Sequence, residues 1–124
     1  VAFPLMAKWV EGKERMDRAK ELLTFFELED HLHHKPGELS GGQQQRVAIA
    51  RAIIGEPDIL FADEPTGNLD SNTADQIIKV LKDISINKGT TILMVTHDVK
   101  RASQADRIIY IEDGGIIVRE DKLE

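Results

Sequence analysis

The chain has 124 residues, a formal net charge of −6 and no cysteine. The acidic balance argues against broad nucleic-acid binding, which favours basic patches, and the missing thiols exclude disulfides and thiolate metal sites. No apolar run approaches the roughly 20 residues that span a bilayer, and no charged-then-apolar leader pattern is present, so a membrane role would run through a partner.

Val1-Ala2-Phe3-Pro4-Leu5 reads as an apolar stretch already under way. The sequence is therefore expected to be the later part of a longer polypeptide. Met16, Ala19, Leu22, Leu23 and Phe26 recur at helical spacing and predict an amphipathic helix over 14–28. Trp9 and Phe25-Phe26 are expected to pack helices, or to belong to a surface that receives a partner's helix. The polar run Glu29 to Gly37 ends in Pro-Gly and reads as a loop. Its His31, His33 and His34 have the composition of metal ligands but no cysteine or helix-spaced partner, so a solvated loop is expected rather than a metal site.

Ser40 has the character of an N-cap, with Gln43 three residues on as in a capping box. The helix behind it carries Val47, Ala50 and Ile54 and should stop at Gly55, with Pro57 forbidding resumption. Arg46 and Arg51 on this helix either face solvent or brace its first turn. Asp58 to Asp63 encloses Ile-Leu-Phe-Ala, the pattern of a strand buried on both faces. Asp70 or Ser71 caps the next helix, whose apolar stripe is Ala74, Ile77, Ile78, Leu81 and Ile84, and Lys88-Gly89 closes it. Thr91 to Thr96 predicts a second buried strand, and a short helix follows Asp98. Arg107 to Ile111 predicts a third strand, turning at Gly114-Gly115 into a fourth, Ile116-Ile117-Val118, as an edge hairpin. Strand, helix, strand in this order implies an α/β fold with a parallel core.

Three places carry chemistry. A helix start leaves about four backbone N–H groups unpaired and bears a partial positive charge, so Ser40-Gly41-Gly42-Gln43 can receive an anion at close range. Alone, Ser-Gly-Gly is common turn material. Asp63 and Glu64 stand at the carboxyl end of a strand, where open parallel sheets bind ligands. There Asp63 offers oxygen to a hard cation and Glu64 can polarise an attacking water as a general base. His97 follows the second strand and points into the same crevice.

Taken as blocks, Leu39-Ser40-Gly41-Gly42-Gln43-Gln44-Gln45-Arg46 and Ile59-Leu60-Phe61-Ala62-Asp63-Glu64 resemble the signature and Walker B motifs of ATP-binding-cassette (ABC) ATPases. Asp63-Glu64-Pro65-Thr66-Gly67-Asn68-Leu69-Asp70 looks like Walker B, the catalytic glutamate and the D-loop in sequence. The wording is especially similar to the lipoprotein-release, macrolide-export and cell-division branch. The resemblance implies a P-loop NTPase-type core. Residues 1–55 would form the α-helical subdomain with the signature, and 56–124 the later half of the ATPase core.

It also implies ATP and Mg2+ as cofactors. Asp63 would hold Mg2+ through water, and Glu64 and His97 would be catalytic, His97 as the switch histidine. Ser40, Gly41, Gly42 and Gln43 would contact ATP in trans, and Asp70 would couple the two sites. The implied partners are a second nucleotide-binding domain, head to tail, and transmembrane permease subunits, with no nucleic acid. The implied location is cytoplasmic, peripheral on the inner face of the cell membrane. No Gly-x-x-x-x-Gly-Lys-Ser/Thr loop occurs in these 124 residues, and the family's glutamine loop is absent too. Because the cradling amides and lysine of that loop supply most direct ATP affinity, the chain alone is expected to be inactive. Two other classes stay open: a soluble ABC ATPase acting on nucleic acid, and a non-catalytic interaction module.

Overall fold

The structure, a computed structural model, describes residues 1–117. It opens with helix α1 (Phe3–Ala7), which has Pro4 in its first turn and buries Leu5. Trp9 follows in the left-handed region (φ 58°) and is 94% exposed, so it packs no helix. The left-handed residue reverses the chain and leaves the indole outside. Helix α2 (Gly12–Phe25) starts earlier than its apolar stripe suggests. Ala19 and Phe26 are buried, whereas Met16 and Phe25 are exposed. The helix rests on its neighbours along one narrow edge. Its last turn closes with Glu27 left-handed (φ 57°), and the Leu28 N–H donates to Leu23 O across 2.9 Å, the pairing of a Schellman cap.

The expected loop contains two turns of 3₁₀ helix, Glu29–His31 and Pro36–Glu38. Helix α3 (Gly41–Ile53) then begins on the Ser40 cap. It ends without help from a left-handed Gly55. Glu56 takes that conformation instead (φ 52°), and its N–H donates to Ile53 O.

Strands β1 (Ile59–Asp63) and β2 (Thr91–Val95) pair in parallel, Ile59 opposite Thr91 and Asp63 opposite Val95. Helix α4 (Ser71–Lys88) joins them. Asp70 caps its start, and Gly89 ends it in the left-handed region (φ 67°), the usual place for glycine. The whole predicted stripe from Ala74 to Ile84 is buried. It packs with Phe26, Leu28, Ile49, Ile53 and Leu60 into the main core.

The strands are not buried on both faces. Side chains alternate along a strand, and α3 and α4 cover only the face that carries Leu60. On the opposite face Ile59, Phe61, Leu93 and Val95 are exposed, Phe61 at 72%. Helix α5 (Val99–Ala102) follows its Asp98 cap as expected.

Strand β3 (Tyr110–Glu112) starts later than the predicted 107–111 and, among the described residues, pairs antiparallel with β4 (Gly115–Ile117) at three positions. The turn is Asp113-Gly114 rather than Gly114-Gly115. Both residues have positive φ (50° and 77°), as a two-residue type I′ hairpin requires. Val118, expected at the end of the fourth strand, lies outside the described residues. Among the described residues no helix is long and apolar enough to cross a membrane.

Candidate active site

The parallel ladder brings the ends of β1 and β2 side by side, and the chain leaves β1 with the Glu64 N–H donating to Val95 O across 2.9 Å. Glu64 itself is left-handed (φ 43°), a conformation that costs a non-glycine residue about 1–2 kcal/mol. Such strain persists only where surrounding contacts over-determine it. Here they do. The His97 N–H and Nδ1 lie 2.9 and 2.7 Å from Glu64 Oε1, and the Thr96 hydroxyl donates to Oε2 at 3.3 Å. The hydrogen bond from His97 holds the Glu64 carboxyl below the usual carboxylate range, against an opposing desolvation effect. A carboxylate only accepts, so His97 carries its proton on Nδ1 and keeps Nε2 open to a ligand. The His97 side chain is 85% exposed.

Asp63 is exposed, and no hydrogen bond or ion pair ties its carboxylate among the described residues. No group of three or more His, Cys, Asp or Glu converges on one point among those residues. At this strand end Asp63 is the carboxylate left to a hard cation among the described residues, since Glu64 is tied to Thr96 and His97. That donor set fits Mg2+, which binds through one or two carboxylates and takes its other ligands from phosphates and water.

The tip of α3 is a reciprocal capping box. Ser40 Oγ accepts from the Gln43 N–H at 3.2 Å, and Gln43 Oε1 accepts from the Ser40 N–H at 2.8 Å. Gly41 is exposed, whereas Gly42 is buried against α4: a β-carbon there would sit 2.4 Å from Thr73 Cγ2. Thr73 in turn donates its hydroxyl to Asp70, which also accepts from the Asn72 and Thr73 N–H groups at 3.1 Å each. These bonds, led by the Thr73 hydroxyl, hold the Asp70 carboxyl below its usual range.

Glu64 and His97 thus meet directly, with Asp63 next to Glu64 in sequence. Ser40 to Gln43 pack instead on the start of α4, beside Asp70. No hydrogen bond joins these two groups among the described residues.

The histidine run is more than a solvated loop. His31 Nδ1 lies 2.8 Å from His34 Nδ1, and His31 Nε2 lies 2.8 Å from Gln43 Nε2. An amide nitrogen only donates, so His31 accepts with Nε2 and carries its proton on Nδ1. Of the arginines left open above, Arg46 does not brace the α3 tip. It donates to Phe26 O, the Glu27 carboxylate and Gln76 Oε1, tying α3 to α2 and α4. Arg51 is exposed. Sequence reasoning missed Thr96, Thr73 and Arg101. Their sites depend on which helix tips become neighbours, although a hydroxyl next to the strand-end histidine was a visible signal for Thr96.

Compared with solved structures, this is the fold of an ABC ATPase cassette. The cassette MJ0796, in a dimeric post-hydrolysis state bound to ADP and Pi, superposes with a TM-score of 0.80 at 48% identity, over 94% of this chain and 52% of that one. The chain belongs to the ABC transporter family, whose profile matches residues 3–67. It is 54% identical over 112 residues to the lipoprotein-releasing system ATP-binding protein LolD of Syntrophotalea carbinolica, covering 90% of this chain and 49% of that protein. It is 48% identical to the macrolide export ATP-binding/permease protein MacB of Pasteurella multocida, over 94% of this chain and 18% of that protein. The chain is an ABC transporter ATP-binding domain sequence consistent with the lipoprotein-release and macrolide-export branch, and it spans about half the length of the first of these relatives.

Proposed function

We propose that these residues form the signature-bearing and Walker B-bearing part of an ATP-hydrolysing subunit that drives a membrane permease. The observation that carries the reading is the Glu64–His97 pair. A strained glutamate at the carboxyl end of a parallel strand has both oxygens held by Thr96 and His97. Glu64 acts as general base on water, oriented by its two neighbours. His97 presents Nε2 to the terminal phosphate. Asp63 would hold Mg2+ through water, and that ion would supply charge neutralisation to the phosphates.

Ser40, Gly41, Gly42 and Gln43 reach ATP seated on a second copy, arranged head to tail, and Asp70 couples the two sites at that interface. Residues 1–55 act as the α-helical subdomain, and residues from 56 onward as the later half of the ATPase core. The subunit works in the cytoplasm, peripheral on the inner face of the membrane. The relatives' roles in lipoprotein release and macrolide export support a transport role over an ATPase acting on nucleic acid or a non-catalytic module.

The test is Glu64→Gln in a longer polypeptide that also supplies a phosphate loop. ATP should then trap a stable dimer while turnover falls by roughly 10²–10⁴-fold, the range for loss of a general base. Unchanged turnover would remove Glu64 from its role. The 124 residues alone, without that loop, should bind ATP weakly or not at all in calorimetry; micromolar binding would contradict this.

A further inference from the structure

Arg101 is a buried cation that the site described above does not use. Its side chain is 6% exposed, although it sits on the four-residue helix α5. One terminal nitrogen donates to both Ser71 O and Ser71 Oγ at 3.2 Å and lies 3.3 Å from Asp75 Oδ1. Nε is 3.7 Å from Asp98 Oδ2. Lys100 adds a 3.3 Å contact to the other Asp75 oxygen.

As a stabilising device this is poor. Arg101 Nε and Asp75 Oδ1 are buried without a hydrogen bond, close enough for charge attraction but misaligned. A buried ion pair satisfied only in part contributes no more than an apolar side chain of the same volume, and often less.

Its connections are more telling than its energy. Asp98 accepts from the Arg101 backbone N–H at 3.2 Å, and the Asp98 backbone N–H donates to Thr96 Oγ1 at 3.1 Å. The Thr96 hydroxyl donates onward to Glu64. At the other end Ser71 is the first residue of α4, directly after Asp70. A polar chain therefore runs Glu64, Thr96, Asp98, Arg101, Ser71; Arg101 joins Asp98 through its backbone N–H and a 3.7 Å charge contact, and its guanidinium, beside the Lys100–Asp75 contact, ties the turn after β2 to the start of α4.

We infer that Arg101 is a positioning residue: it locks the Thr96–Asp98 turn, and with it the Glu64–His97 pair, to the Asp70–Ser71 start of α4. A partner that engages Asp70 would thereby set the orientation of the base. The inference rests on the roles proposed above for Glu64 and Asp70.

The test uses ATP turnover by the longer polypeptide, with Arg101→Met, Arg101→Lys and Glu64→Gln measured side by side. Arg101→Met removes the fork but keeps the volume. Its kcat should fall roughly 10- to 100-fold, the scale of a misplaced catalytic group, with KM for ATP unchanged. Arg101→Lys keeps the charge but cannot reach Ser71 and both carboxylates at once, so its kcat should lie between Met and native.

Native kcat in Arg101→Met, a rise in KM alone, or a loss that only tracks the fraction of folded protein would overturn the inference. If the Met variant does not fold, the Lys variant decides: reduced kcat at native KM supports it, and native kcat overturns it. If Glu64→Gln is inactive while Arg101→Met is native, only this inference falls. If Glu64→Gln turns over normally, the reading of the site falls and takes this inference with it.

Discussion

Gly42 and Thr73 touch so closely that a β-carbon on Gly42 would lie 2.4 Å from the Thr73 methyl. Thr73 cannot simply turn aside, because β-branched side chains are stiff and its hydroxyl is bonded to Asp70. The tip of α3 and the cap of α4 are thus one packed unit. Gly42→Ala should destabilise the fold by about 1–3 kcal/mol, the usual cost of overpacking. Urea unfolding of Gly42→Ala and of Gly42→Ala with Thr73→Ser checks this. Ser keeps the hydroxyl and removes the methyl, so the double variant should recover most of the loss; no recovery would mean the clash lies elsewhere.

The Asp70 cap predicts a pH dependence. Its carboxyl is held below the ordinary value of 3.8 by the Thr73 hydroxyl and by backbone N–H groups. A depressed folded-state pKa contributes stability that is fully present above the unfolded value and is lost as pH falls through the folded one. Asp70→Asn should therefore be less stable than the native chain at neutral pH, and the gap should close below pH 3.8. A gap that stays constant down the acid range would show that the charge is not what the cap uses.

Arg46 stands where three helices meet. Arg46→Met would leave Phe26 O, at the end of α2, without its side-chain donor. A buried acceptor that loses its partner costs about 1–3 kcal/mol, which a thermal melt will register. The hydrogen bond from Arg46 holds the Glu27 carboxyl below its usual range, yet the Glu27 side chain is mostly exposed. Exposed ion pairs contribute little, so Glu27→Gln should shift the melt far less than Arg46→Met. Equal shifts would assign the effect to the ion pair instead.

The open face of the sheet predicts behaviour in solution. Ile59, Phe61, Leu93 and Val95 form an exposed apolar surface on adjacent paired strands. Contiguous patches of this kind drive association. The 124-residue chain alone should self-associate with rising concentration in sedimentation, and Phe61→Lys should reduce this. A monomer at every concentration would contradict the expectation.

Local signals were enough wherever a residue acts on its own backbone. The Ser40–Gln43 box, the Asp70 and Asp98 caps, the Gly89 stop and the stripe from Ala74 to Ile84 all follow from one-dimensional spacing. The order of elements and the placing of Asp63, Glu64 and His97 at strand ends were legible for the same reason. An apolar run, however, says only that a strand can be buried. Whether it is covered on one face or two depends on how many layers assemble around it, which is why Phe61 lies exposed within a run patterned for burial.

Sequence by itself therefore determined the starts and N-terminal caps of α3, α4 and α5, the parallel strand pair and the family. Tertiary structure decided which polar tips meet: His97 and Thr96 on Glu64, Thr73 under Gly42, His31 on Gln43 and Arg101 between Ser71 and Asp98. Those contacts join residues far apart in the chain. Their geometry comes from strand register and helix packing, and neither is written in the spacing of any one segment.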